Sequence, residues 1–143
     1  MLRFGPQIAI RVSPEVFFLT KGDASLSLPT YLYIDSTAAN PRVVAVGEEI
    51  SGVPELVRID LFGSSLQASP PLRVGLLECL AAFLRAGVQK LVGRRTMIRW
   101  RVTVTGLASL DSILHGYQVA ILRQALEAAG AAQIEFPEVG SAL

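Results

Sequence analysis

The sequence predicts an α/β fold in which an antiparallel strand meander is followed by alternating helices and strands. Three observations point there. Apolar and polar residues alternate in short runs through the first half of the chain. Apolar positions recur at helical spacing from Leu72 to Val92 and again from Ile113 to Leu126. Between those two stretches, Ile98–Val104 alternates again with period two.

Gln7–Val12 alternates cleanly and reads as the first strand. Val16–Thr20 is β-branched and aromatic, and Lys21-Gly22-Asp23 supplies a turn after it. Tyr31–Ile34, preceded by Pro29, is expected to be the third strand of the meander. After a polar connection from Asp35 to Pro41, Arg42–Val46 reads as a fourth strand closed by Gly47. The stretch from Ser51 to Pro71 is less regular, with Val57–Leu61 as its strand candidate, and residues 47–71 read as an insertion in a single domain spanning 1–143.

The helical stripe Leu76, Leu77, Leu80, Phe83, Leu84, Val88 and Leu91 is expected to end at Gly93. In the following strand, Ile98, Trp100, Val102 and Val104 share one face, while Arg99, Arg101 and Thr103 take the other. Ser109 or Asp111 can cap a second helix whose stripe runs through Ile113, Leu114, Tyr117, Ile121, Leu122, Ala125 and Leu126, with Gly130 at its C-cap. Gln133–Phe136 reads as the last strand. Meander, helix, strand, helix, strand is the ribonuclease H-like layout.

At 143 residues the chain is long enough to bury a core. Its 51% apolar content and mean hydropathy of +0.47 are high for a lone domain, so either the sheet is buried on both faces or a partner covers apolar surface. The densest apolar run, Leu80–Leu84, is broken by Arg85, far short of the roughly 18 residues a membrane span needs. No secretory leader is expected from the first residues. One cysteine allows no internal disulfide, and a net charge of +1 gives no global attraction to nucleic acid. These properties place the expected location in the cytoplasm.

Several segments resemble, in order, the bacterial actins of the MreB (rod shape-determining) type. Arg42–Glu49 is similar to that family's "VLAVGEEA"; Gly93-Arg94-Arg95 and then Arg101–Val104 resemble "GRR…RPRVVV"; Leu122–Ala131 resembles "VRDAALEAGA"; Ile134–Pro137 resembles "LIEEP". The resemblance implies the front half of an actin fold. It also implies where ATP would be gripped, and there the sequence departs. The family's first hairpin reads "IDLGTAN"; here Arg11 stands for its acid, Ser13 for its glycine, and Pro14 lacks the N–H that a phosphate-cradling turn uses. Arg11 would repel a Mg²⁺ ion, which needs carboxylates and waters. Glu15 is a carboxylate displaced along the chain. Val104–Asp111, the stretch most similar to "VPSGITEVE", carries extra residues. No cofactor and no metal are therefore expected.

Arg11 itself can be read as a contact for phosphate or an acidic partner, or as a solvated charge at a strand end. The segment Arg94, Arg95, Met97, Ile98, Arg99 and Trp100 concentrates positive charge around apolar residues. The resemblance suggests a peripheral contact with the inner face of an anionic membrane, or with a partner; the alternative is a strand whose arginines are solvated and whose Trp100 lies in the core. A nucleic-acid interface is not expected, since no stacking platform accompanies the charge. His115, the single histidine, cannot build a metal cluster or triad with others of its kind. Cys79 reads as a core thiol, Ser64, Ser65 and Ser109 match no nucleophile elbow, and Gly47 and Gly52 form no phosphate loop.

The expectation is thus a non-enzymatic, nucleotide-independent actin-like protein that binds itself or an actin-like partner. A membrane-surface adaptor and a residual ATP-binding domain using Glu15 or Asp111 are the alternatives.

Overall fold

The computed structural model describes residues 6–35, 42–48, 50, 55–62, 76–93 and 100–139. Among the described residues, eight strands and three helices follow in the order β1 (Gln7–Arg11), β2 (Val16–Lys21), β3 (Ala24–Pro29), β4 (Tyr31–Asp35), β5 (Arg42–Val46), β6 (Leu56–Asp60), α1 (Leu76–Val92), β7 (Trp100–Thr105), α2 (Asp111–Leu114), α3 (Gln118–Ala129) and β8 (Ala131–Glu135). A 3-10 turn, Leu107–Leu110, leads into α2.

Two sheets form, a five-stranded one ordered β3-β2-β1-β7-β8 and a three-stranded antiparallel one ordered β5-β4-β6. In the larger sheet β2 runs antiparallel to β1 and β3, whereas β1, β7 and β8 run parallel. Ile8, Ile10, Phe17, Leu19, Val102 and Val104 face α1 and α3 and form the core with Phe83, Leu84, Leu122 and Leu126. The opposite face carries Gln7, Ala9, Arg11 and Thr20, all exposed.

Two expectations need correction, the third strand of the meander and the continuity of the second helix. The third strand of the meander is Ala24–Pro29, paired with β2 from Val16↔Pro29 to Lys21↔Ala24. Tyr31–Ile34, expected in that role, instead lies in β4, which leaves the large sheet and becomes the centre of the small one. The physical reason is Thr30, whose hydroxyl donates to the Pro14 carbonyl at 2.6 Å and whose N–H donates to the Glu15 carbonyl at 3.1 Å. Those bonds fix the chain at the strand junction, so β4 starts in a new direction. The strand candidate Val57–Leu61, by contrast, forms as β6, one residue earlier, and pairs with β4 from Tyr31↔Asp60 to Asp35↔Leu56.

The second expected helix is interrupted. His115 takes a left-handed φ of 52° and Gly116 follows at 91°, separating α2 from α3. Other stops fall where glycine was expected. Gly93 (φ 94°) closes α1 with its N–H on the Gln89 carbonyl at 2.8 Å, and Gly130 (φ 117°) caps α3 on the Leu126 and Glu127 carbonyls. Near the C-terminal end of α1, Lys90 reaches both the Val46 carbonyl (2.9 Å) and the Glu48 carboxylate (2.7 Å), fastening the helix to the end of β5.

Candidate functional site

Parallel strands β1, β7 and β8 end on the same edge of the large sheet, and open α/β sheets gather their ligands outside such ends. Three segments meet there: the β1–β2 hairpin, the turn after β7, and the turn after β8.

The hairpin spends its polar groups on itself. The Ser13 hydroxyl accepts the Val16 N–H at 3.1 Å and donates back to the Val16 carbonyl. Pro14 has no N–H, and its carbonyl takes the Thr30 hydroxyl; the Glu15 carbonyl takes the Thr30 N–H. Arg11 is exposed at the end of β1. Ser13 and Pro14 are half-buried, so the turn is a tied structural element rather than an open cradle.

After β7, Gly106 adopts φ 86° and passes so close to the hairpin that a Cβ there would lie 2.4 Å from the Val12 carbonyl oxygen. Val12 in turn donates its N–H to the Thr105 carbonyl at 2.8 Å, and the Ser109 hydroxyl is shared between the Val12 carbonyl (3.1 Å) and the Gly106 carbonyl (2.6 Å). Buried Gln118 supports this turn from below, donating to the Leu107 carbonyl at 3.2 Å and to the Asp111 carboxylate at 3.3 Å.

Glu138 completes the arrangement. Both of its oxygens accept the Gly106 N–H at 3.0 Å, and Oε1 also accepts the Leu107 N–H at 3.0 Å. These two N–H bonds, with a smaller contribution from the Arg11 charge, hold its carboxyl below the usual 4.5. Glu48 is held low as well, by the Lys90 hydrogen bond and charge. Both shifts favour the ionised acceptor, the opposite of what a general acid requires.

Sequence reasoning singled out Arg11, Ser13 and Pro14, which the fold places on this edge. Gly106 and Leu107 fall within the Val104–Asp111 stretch noted in the sequence, but Glu138 carried no signal, since its contacts to them span 32 and 31 residues of chain and leave no local signature. Of the arginine-rich segment, Arg94, Arg95, Met97, Ile98 and Arg99 lie outside the described residues. Trp100 is 5% exposed and belongs to the core, in line with the reading of a strand whose Trp100 faces inward and against a membrane or partner contact through that side chain. Cys79 is buried, and burial first, then the Glu78 charge, pushes its thiol up to about 11, the direction of an inert group. His115 is exposed at the helix break. Among the described residues no group of three His, Cys, Asp or Glu side chains is arranged to hold a metal ion, and no helix is long and apolar enough to cross a membrane.

No family model matches the chain, and no curated protein matches it in sequence. Among solved structures, the fold is similar to that of MreB 5 of Spiroplasma citri bound to AMPPNP, with a TM-score of 0.55 and 11% sequence identity over 94% of this chain. This chain spans 39% of the length of that protein. The likeness is one of fold: a mixed α/β arrangement similar to an actin-like domain.

Proposed function

We propose that the chain is an actin-like structural or adaptor protein that works without nucleotide, binding a second copy of itself or an actin-like filament-forming partner in cytoskeletal or cell-shape organisation. The order β3-β2-β1-β7-β8, with β2 antiparallel to its neighbours, favours the ribonuclease H-like form of the actin-like domain. The observation that carries the nucleotide-independent part is the hairpin Arg11–Pro14. A phosphate-gripping turn needs backbone N–H groups aimed outward and a carboxylate nearby to organise a metal. This one offers a guanidinium, a proline nitrogen and a serine already bonded within the turn. The chemistry left to such a protein is recognition, and its expected place is the cytoplasm or the inner face of the membrane.

Edge strand β5 supports recognition by strand or surface contact. It lies at the margin of the small sheet, Val44 on it is 47% exposed, and a groove of about 470 Å³ runs beside it along Ala86 and Lys90. An exposed β-branched edge is a template for another chain. Sedimentation of the full chain at several concentrations, alone and with a filament-forming bacterial actin, tests the reading. Association is expected in at least one case, and Val44→Lys should weaken it while changing stability by no more than about 0.5 kcal/mol. A strict monomer without affinity for the filament would contradict the proposal.

A further inference from the structure

We propose that Glu138 is a latch that closes the crevice over the ends of β1, β7 and β8, and that the turn 136–139 engages and releases with it as one unit.

A 3-10 turn leaves its first N–H groups without partners inside the turn. Left-handed Gly106 directs its own N–H and that of Leu107 towards one point, since a single oxygen, Glu138 Oε1, accepts both at 3.0 Å. The second oxygen also accepts the Gly106 N–H, so the carboxylate is held by three contacts. An exposed glutamate held only by its own side chain would lose much rotamer freedom in this geometry. Here the geometry is set from behind. Phe136 is buried, the Arg123 guanidinium lies 5.2 Å from its ring centroid, and the Val139 N–H closes the turn on the Phe136 carbonyl at 3.0 Å. A buried aromatic thus anchors one end of a tight turn, and a carboxylate pins the other across the end of β7.

Arg11 is the cation that acts on the carboxylate from β1. From the turn after β7 come the two N–H groups, while the Ser109 hydroxyl is directed to the Val12 and Gly106 carbonyls. Because the same contacts favour the ionised form, the latch is closed at neutral pH and opens as pH falls through the lowered carboxyl pKa. The latch is read from the Gly106 and Leu107 amides without nucleotide, so its failure and the failure of the proposed function are told apart by separate measurements.

The test is amide hydrogen exchange and acid titration on the full ¹⁵N-labelled chain, as wild type, Glu138→Gln and Glu138→Ala. Gly106 and Leu107 amide resonances should follow one titration with a midpoint below 4.5. In both variants the Gly106, Leu107 and Val139 amides should exchange about tenfold faster, with α1 and β1 amides at wild-type protection. Unchanged exchange at Gly106 and Leu107 would overturn the latch. So would faster exchange there with Val139 still protected, because Glu138 would then be a local contact and not the closure of a unit. General loss of protection, including α1 and β1, would also overturn it by showing that Glu138 holds the whole fold.

Discussion

Gly106→Ala is expected to destabilise the domain by about 3 kcal/mol, seen as a midpoint shift in urea and a fall in Tm of roughly 10 °C. Two costs combine. A left-handed backbone charges an L-residue about 1–2 kcal/mol at this φ of 86°. The added methyl would also sit 2.4 Å from the Val12 carbonyl oxygen, a backbone atom. Val12 cannot step aside freely, because its N–H is bonded to the Thr105 carbonyl and its own carbonyl takes the Ser109 hydroxyl. Gly116→Ala separates the two costs. That glycine has a similar φ of 91° with nothing within 4 Å of the methyl that alanine would add, so its substitution should cost only about 1 kcal/mol. Equal losses at the two sites would mean that the turn after β7 does not approach the hairpin so closely.

A loss of about 4 kcal/mol is expected for Phe83→Ala, the larger of the core effects. Phe83 is fully buried on α1 and meets Phe17 of β2 edge-on at 5.4 Å between ring centroids. Phe17 in turn stacks on Phe62, just beyond β6, at 6.1 Å. The three rings join the helix, the large sheet and the end of the small sheet, so truncation at Phe83 removes a contact on which both sheets depend. Phe83→Leu, which retains most of the volume, should recover the greater part and leave a deficit near 1 kcal/mol. Chemical denaturation of the three proteins checks this ordering. A Phe83→Ala variant with wild-type stability would show that the sheets are held together elsewhere.

How much of this was legible in the sequence depended on how local the cause was. α1, β7 and β8 were readable because burial imposes a period on consecutive residues, and Gly93 and Gly130 ended their helices for a conformational reason visible in one letter. β3 was hidden because Ala-Ser-Leu-Ser-Leu-Pro is poor in β-branched and aromatic residues, and its pairing with β2 supplies what propensity does not. β4 looked like a meander strand because nothing near it in sequence reveals that Thr30 is tied to Pro14 and Glu15. The break at His115 had a signal in Gly116, which the apolar stripe on either side outweighed. At the candidate site, the departure of Arg11, Ser13 and Pro14 from a phosphate-binding hairpin could be read directly. Glu138 could not, since a carboxylate reaching two N–H groups in a distant turn is a product of topology.

The likeness to an AMPPNP-bound MreB concerns fold, and the residues at the strand ends argue for a different use of it. The hairpin is tied to Val16 and Thr30, and the N–H groups of the next turn are held by Glu138. Both observations support one account, the proposed one, in which the protein recognises without catalysing a reaction.

Titration calorimetry of the full chain with Mg²⁺ and ATP tests that account most directly. The expected result is no saturable heat at millimolar nucleotide. Saturable binding that weakens on Glu15→Ala or Asp111→Ala would contradict it.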